Sequence, residues 1–140
     1  MPVPDDFAPL FRTSPVLELI GPIYYRGRGA GIALGLEVAE KHCNARGRVH
    51  GGILATLADV GLGYALAYDR DPPIPLVTAH LGIDYVGGAA IGDWLETAVT
   101  IDKRGARLAF AHLAIVNGTE TIVHASGVFH VSTENPRRSD

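Results

Sequence analysis

One long apolar segment with a single acid near its middle constrains the fold of this chain most strongly. Residues 52–68 are rich in Ala and Leu and contain no proline, a composition that predicts a helix. Because the segment is apolar nearly all round, the helix should be buried on most sides. Gly61 and Gly63 each cost about 1 kcal/mol relative to Ala, and we expect close approach of another backbone to compensate. Three prolines within residues 69–75 end the helix.

β-strand patterns fill most of the chain on either side of this helix. Alternating hydrophobicity predicts a half-buried strand over residues 31–39, and residues 16–28 are expected to contain another strand. The strands predicted after the helix cover residues 81–85, 95–102, 108–116 and 123–131. They are separated by a loop at 87–92, a turn at Lys103-Arg104-Gly105 and a hairpin at Asn117-Gly118.

One long helix followed by hairpin-linked strands is typical of an α+β domain with an antiparallel sheet. The sheet must curl around the helix, since no other segment can cover the helix. The free edges of such a sheet favour pairing with a second subunit. Residues 1–140 are predicted to form a single domain, with 1–15 as a leading segment or short helix and 133–140 as a disordered tail.

Composition argues against several classes of protein. The formal net charge is −3, without the basic excess of a nucleic-acid-binding protein. Cys43 is the only cysteine, so no internal disulfide forms and a reducing compartment suits the chain. The N-terminus lacks the basic and apolar regions of a signal peptide, and Asp59 interrupts an apolar stretch too short to span a bilayer. We expect a cytoplasmic protein with no nucleic-acid or membrane partner.

Asp59 is the residue that points most directly to chemistry. A carboxylate inside so apolar a stretch is costly unless it is hydrogen-bonded or faces a cavity. The acid therefore either makes a structural contact or lines a site, and acids in such positions are more often functional. Facing a cavity, Asp59 could serve as a general base.

The tripeptide His50-Gly51-Gly52 immediately precedes the predicted helix. Glycines leave the backbone N–H groups uncovered there, and a helix N-terminus attracts negative charge. An oxyanion hole needs such donors, although a Gly-Gly pair by itself fits a plain loop-to-helix junction equally well. Asp59 follows Gly52 by about two helical turns, so the donors and the carboxylate could share one face of the helix.

Taken together, these residues match a family pattern. Asn44-x-x-Gly47-x-x-His50-Gly51-Gly52 followed by Asp59 resembles the hotdog thioesterases of the phenylacetic-acid-degradation type. The likeness runs from about residue 31 to residue 132, and its combined spacing is more specific than any one piece. Its later pieces are Leu76-Val77-Thr78, Ile83-x-Tyr85, Gly92-Asp93 and Arg104-Gly105-x-Arg107-Leu108-Ala109-Phe110.

The resemblance implies a hotdog fold, in which a curled antiparallel sheet wraps around one long central helix. It also implies hydrolysis of acyl-CoA without a cofactor, at an active site between the subunits of a homodimer or of a homotetramer built as a dimer of dimers. By the same resemblance, Asp59 would act as general base or nucleophile.

The resemblance also assigns roles to other residues. The Gly51 N–H, with the Asn44 side chain, would polarise the thioester carbonyl, and His50 would orient the loop. Thr78 would face the acid from the other subunit and help hold the water.

Further residues would contact the rest of the substrate. Gly52 would lie against it, and the turn containing Lys103, Arg104, Gly105 and Arg107 would meet the nucleotide of CoA, where phosphates favour cations.

Two other functions remain open at this stage. Hydratases and dehydratases of acyl thioesters share the fold, but their histidine lies much further from the acid in sequence. A non-catalytic acyl-CoA-binding protein would use the same residues, although an uncompensated acid weakens an apolar pocket.

Other residues have simpler interpretations. His42 beside Cys43 suggests a nucleophile and base, but sequence neighbours seldom have the required geometry. The six histidines show no metal-ligand spacing, so no metal site is predicted. Arg26-Gly27-Arg28-Gly29 lacks the spacing of a phosphate-binding loop and fits a solvated hairpin.

Overall fold

A seven-stranded antiparallel sheet curls around one long helix in the computed structural model, which describes residues 3–132. The sheet has the order β1-β2-β3-β5-β6-β7-β4, with neighbouring strands antiparallel. The strands are β1 (Ala8–Pro9), β2 (Tyr24–Arg26), β3 (Ala33–Glu37), β4 (Leu76–Tyr85), β5 (Trp94–Arg104), β6 (Leu108–Asn117) and β7 (Glu120–Val131). The helices are α1 (Pro15–Ile20) and α2 (Gly51–Ala67), with short 3-10 turns at Gly29–Gly31 and Glu40–His42. The predicted α+β class and hotdog architecture are confirmed; the tail predicted at 133–140 lies outside the described residues.

The long helix α2 matches its predicted position to within one residue at each end. It is the centre of the core, as its patterning indicated, and its fully buried positions are Leu54, Leu57, Ala58, Gly61, Leu62, Ala65 and Leu66. Between residues 3 and 132, no helix combines the length and the hydropathy needed to cross a bilayer.

The two glycines of α2 have different surroundings, and in both cases the nearest neighbouring atom belongs to a side chain. A Cβ at Gly61 would lie 3.1 Å from the Cγ2 of Thr97, a tight contact, so glycine lets the helix pack closely against a β5 side chain. Thr97 is itself buried, and its hydroxyl accepts the Leu34 N–H at 2.9 Å. At Gly63 the nearest atom is a ring carbon of Phe129 at 3.7 Å, an ordinary contact distance. The expectation of close backbone approach is therefore wrong, because side chains fill the space between helix and sheet.

Strand β3 is buried on both faces rather than half-buried as predicted. Its second face is covered by Phe7 and Trp94, which pack edge to face with ring centroids 5.1 Å apart. The Trp94 ring lies directly over Gly35, where a Cβ would come within 2.2 Å of it. Trp94 begins β5, whereas Phe7 belongs to the N-terminal segment, which adds strand β1 before α1 begins at Pro15.

Strand β4 lies at one edge of the sheet and pairs only with β7 among the described residues. A β-bulge between Thr78 and His80 leaves Ala79 without a direct partner. Strict alternation would put Thr78 on the same face as His80; the bulge instead turns the Thr78 side chain towards α2. Bulges commonly re-aim side chains beside functional sites.

Candidate active site

Asp59 and Thr78 are joined by a hydrogen bond within one chain. Asp59 is half-buried on α2, and its Oδ1 accepts the Thr78 hydroxyl at 2.7 Å. The expectation that Thr78 would approach from another subunit is therefore wrong. The physical reason is that β4 runs back along α2 after the turn at 69–75, and the bulge at Ala79 aims Thr78 at the helix.

A pocket of about 430 Å³ opens beside the Asp59 carboxylate. Both Asp59 and Thr78 line it, so the acid faces a cavity rather than a closed polar network. Most of the remaining wall is apolar, including Leu17, Val60, Ile74, Leu76 and Phe129. Apolar walls with a few convergent polar groups are typical of ligand sites.

The start of α2 leaves one backbone amide available. His50 is the N-cap residue, and its Nδ1 accepts the Gly52 N–H at 2.9 Å. The Gly52 amide, expected to contact substrate, is thus occupied within the protein. The Gly51 N–H has no acceptor among residues 3–132. It is therefore the free donor at the positive end of the helix.

Tyr85 is a site residue that reasoning about individual residues missed. Its hydroxyl donates a 2.8 Å hydrogen bond to the carbonyl oxygen of Gly51 and so helps fix the first turn of α2. The only signal in the sequence was the Ile83-x-Tyr85 part of the family pattern. A hydrogen bond between a hydroxyl and a backbone carbonyl so far away in sequence produces no pattern among neighbouring residues.

Asn44 shapes the loop that leads into α2. Its Oδ1 accepts the N–H groups of Arg46 at 2.9 Å and Arg48 at 3.2 Å. Gly47 has φ +76°, a conformation that favours glycine. Because the oxygen of the Asn44 side chain is used by the loop, its Nδ2 group is the part that can serve a ligand.

Gly51 and Asp59 of one chain cannot act on the same carbonyl. They are eight residues apart on α2, which places them about 12 Å apart along the axis. The free N–H groups of a helix also point out of its N-terminal end, away from Asp59. The expectation that donors and carboxylate act from one helix face is therefore wrong.

The turn expected to meet CoA lies near the opposite end of α2 from Gly51. Arg104 forms an ion pair with Asp69, just past the helix end, with an Nη2–Oδ1 distance of 3.2 Å. Hydrogen bonding to Asp69 raises the pKa of Arg104. Gly105 is enclosed by the turn, since a Cβ there would lie 2.2 Å from the Leu108 carbonyl oxygen. The structure does not bring this turn to the Asp59 and Gly51 positions of its own chain.

Lys103 and Arg107 are the other two cations of that turn, and both are exposed. Within residues 3–132, neither side chain forms a salt bridge with an acid, in contrast to Arg104. They remain available for an anionic group.

Histidine chemistry beside Cys43 is not favoured by the geometry. His42 is buried, and its Nδ1 accepts the Ala39 N–H at 2.9 Å while its Nε2 lies 2.5 Å from the carbonyl oxygen of Ile20. The Cys43 thiol lies 3.5 Å from the Ala39 carbonyl oxygen. Both ring nitrogens are therefore engaged with backbone and not with the thiol.

Neither the histidines nor the Arg26–Gly29 segment of the described residues lines the pocket beside Asp59. Among residues 3–132, no three His, Cys, Asp or Glu side chains are placed to hold a metal ion. The Arg26–Gly29 segment joins β2 to β3 as a hairpin, and Arg26 forms salt bridges with Asp6 and Glu96.

Comparison with known proteins gives the family. The model of the thioesterase superfamily matches residues 46–124. A proposed esterase from Pseudomonas aeruginosa is 50% identical over 132 residues, covering 94% of this chain and 98% of the relative. Acyl-coenzyme A thioesterase 13 of Mus musculus is 35% identical over 92 residues, covering 66% of this chain and 65% of the relative.

A solved structure shares the fold. The PaaI protein of the Escherichia coli phenylacetic acid degradation operon superposes with a TM-score of 0.79 at 21% identity, covering 87% of each chain. The sheet and helix described above, the match to the family model and the long alignment with the Pseudomonas relative agree: the chain belongs to the thioesterase superfamily and has its hotdog fold.

Proposed function

We propose that the protein hydrolyses acyl-CoA to a free acid and CoA, with Asp59 as the catalytic carboxylate. The observation that carries the proposal is the Asp59 side chain, held by Thr78 and facing an apolar pocket. Membership of the thioesterase superfamily and similarity to a mouse acyl-CoA thioesterase support the reaction class.

The complete site is proposed to contain residues of two chains. One chain supplies Asp59 and Thr78, and the other supplies the Gly51 N–H and the Asn44 amide. The 12 Å separation within one helix supports this division, because a reacting carbonyl must lie about 3 Å from both its donors and its nucleophile. The dimer contact is proposed at the free edge of β4, where Val77 and Tyr85 are exposed.

The chemistry follows from these positions. The partner's Gly51 N–H donates to the thioester oxygen and stabilises the negative charge that develops there. In one route Asp59 removes a proton from a water that attacks the carbonyl carbon, and the C–S bond then breaks to release the free acid and the CoA thiolate. In the other route the Asp59 carboxylate attacks the carbonyl carbon itself, and breaking of the C–S bond releases the thiolate and leaves an acyl–aspartyl anhydride. Water then hydrolyses this anhydride to release the free acid and restore Asp59. In both routes, the Thr78 hydroxyl keeps the carboxylate directed into the pocket.

The CoA phosphates are proposed to contact Lys103 and Arg107 of a neighbouring subunit. Within its own chain this turn lies beyond the far end of the pocket, so it is poorly placed to bind the nucleotide there. An arrangement of more than two chains, such as a dimer of dimers, would bring the turn to another subunit's site. Arg104 is less suited to this role because Asp69 already holds it.

The direct test measures thiol release from a panel of acyl-CoA thioesters. The wild-type protein should release CoA from at least one of them, and Asp59→Asn should not. Crotonyl-CoA separates the hydratase alternative, since hydration removes the enoyl absorbance without releasing thiol. Tight binding of acyl-CoA with no thiol released over hours would instead identify a binding protein and contradict the proposal.

A further inference from the structure

Gly63 is a helix-interior glycine that packing against the sheet does not explain. Gly61, two residues earlier, is buried, and a Cβ there would press tightly against Thr97 at 3.1 Å. At Gly63, by contrast, a Cβ would meet only Phe129 at an ordinary distance of 3.7 Å. Glycine is an unfavourable residue inside a helix, so its presence at Gly63 calls for another cause. The pocket beside Asp59 supplies that cause, because its wall includes Gly63.

The pocket follows one stripe of α2 away from the carboxylate. Asp59, Gly63 and Ala67 are spaced four residues apart, lie on one face of the helix and all line the pocket. Each step along the stripe is about 6 Å, so Ala67 lies about 12 Å from Asp59 along the axis. The two positions beyond the acid carry the smallest side chains available, which keeps the pocket open along this length.

The opposite wall of the pocket is held in place by the N-terminal segment. The Tyr64 hydroxyl donates a 2.6 Å hydrogen bond to the Arg12 carbonyl oxygen, which ties residues before α1 to the helix. Leu17 and Ile74 line the same pocket. The pocket is thus bounded on both sides and lined mainly by apolar groups beyond Asp59.

We propose that this stripe is the acyl subsite, with Gly63 and Ala67 as the residues that set the length of the acyl group. The inference rests on the proposed function and deepens it. The acyl group lies along α2 from the carbonyl at Asp59, passes over Gly63 and ends near Ala67. The substrate class is therefore acyl-CoA with an apolar acyl group longer than acetyl.

The test uses S-alkyl-CoA thioethers of graded alkyl length, from methyl to decyl, which bind but have no bond to hydrolyse. Dissociation constants are measured by calorimetry for the wild-type protein, Gly63→Leu and Ala67→Leu. Gly63→Leu should weaken binding of butyl and longer thioethers by about tenfold or more and leave the methyl thioether within about twofold, since displaced methylenes lose their apolar contacts. Ala67→Leu should show the same loss only for longer chains, because it closes the pocket one turn further from Asp59.

Gly61→Ala is the matched control, because it adds a methyl group to the same helix on the side facing Thr97. It should change the unfolding temperature but leave the dependence of thioether affinity on alkyl length as in the wild-type protein. Gly63→Ala is a milder second variant should leucine disturb folding, and it should weaken the long thioethers selectively.

The outcomes separate the two proposals. Three results would overturn the subsite. The leucine variants could lose the same affinity at every alkyl length, or both could begin to lose affinity at the same alkyl length. The wild-type protein could also bind none of the thioethers. If the thioethers bind with the stepped cut-off but no acyl-CoA is hydrolysed, the subsite stands and the hydrolase function fails.

Discussion

The Thr78 hydroxyl donates its hydrogen bond to Asp59 across 2.7 Å, from the edge strand β4 to the central helix. Replacing Thr78 with Val keeps the shape and removes the donor. A hydrogen bond to a charged group contributes about 1.5–3 kcal/mol, so we expect kcat to fall about 10- to 100-fold. Thr78→Ser keeps the hydroxyl and should retain most of the activity in steady-state assays. A Thr78→Val enzyme as fast as wild type would show that the bond has no role in turnover.

The Gly51 amide can be removed with little other change. Gly51 is the first residue of α2, where proline is well tolerated, and His50 has φ −66° and ψ 135°, which suit a residue before proline. Gly51→Pro should therefore fold, lack the N–H and lose about 10²- to 10³-fold in kcat.

Gly51→Ala is the control for the proline variant. Both place a Cβ about 3.3 Å from the exposed ring of Tyr85, but alanine keeps the N–H. Alanine should cost much less activity than proline. Equal kcat values for the two variants would contradict the oxyanion role.

The stability contributed by Tyr64 should depend on pH. Burial, with a smaller effect from Tyr68, raises the pKa of Tyr64 above 10.0, against the opposing effect of Arg12. A raised pKa in the folded state means that the contribution is complete below the unfolded pKa and is lost as pH rises through the folded one. Tyr64→Phe should lower the free energy of unfolding by about 0.5–1.5 kcal/mol near neutral pH by removing the hydrogen bond to Arg12. Denaturant titrations should show this difference narrowing above pH 10; a constant difference would contradict the assignment.

The proposed phosphate contacts can be separated from the chemistry. Lys103→Ala combined with Arg107→Ala should raise KM for acyl-CoA and leave kcat nearly unchanged, because the cations bind a remote part of the substrate. Thioesters of N-acetylcysteamine lack the nucleotide, so the same variant should hydrolyse them as wild type does. A raised KM for both substrates would contradict the proposed contact with the CoA phosphates, because only one of the substrates carries them.

Local patterns predicted much of the fold from sequence. The run of apolar residues around Asp59 predicted α2, and the alternation after Pro75 predicted the strands of the main sheet. His50 and the two glycines after it were predicted at the helix start, where the structure has them. These features depend on residues that are close together in sequence, so the hydrophobic periodicity of the sequence can predict them.

Contacts between distant segments were the part that sequence did not predict. The pairing of Thr78 with Asp59 in one chain depends on a bulge at Ala79. A prediction that assumes regular alternation along a strand cannot locate such a bulge. Burial of both faces of β3 depends on Phe7, carried by a segment with no clear pattern. The separate surroundings of Gly61 and Gly63 emerge only when the helix packs on the sheet, since both break the helical pattern equally.

Mixing two impaired variants tests the central claim, that each site joins Asp59 of one chain to the Gly51 amide of another. Asp59→Asn should be inactive alone, and Gly51→Pro alone should retain about 1% or less of the wild-type kcat. When they are unfolded together and refolded, about half of the dimers should contain one chain of each kind, and one of their two sites should be intact. The mixture should therefore regain about a quarter of the wild-type kcat. Mixed dimers that form, as shown by native mass spectrometry, yet release no CoA would contradict the two-chain site.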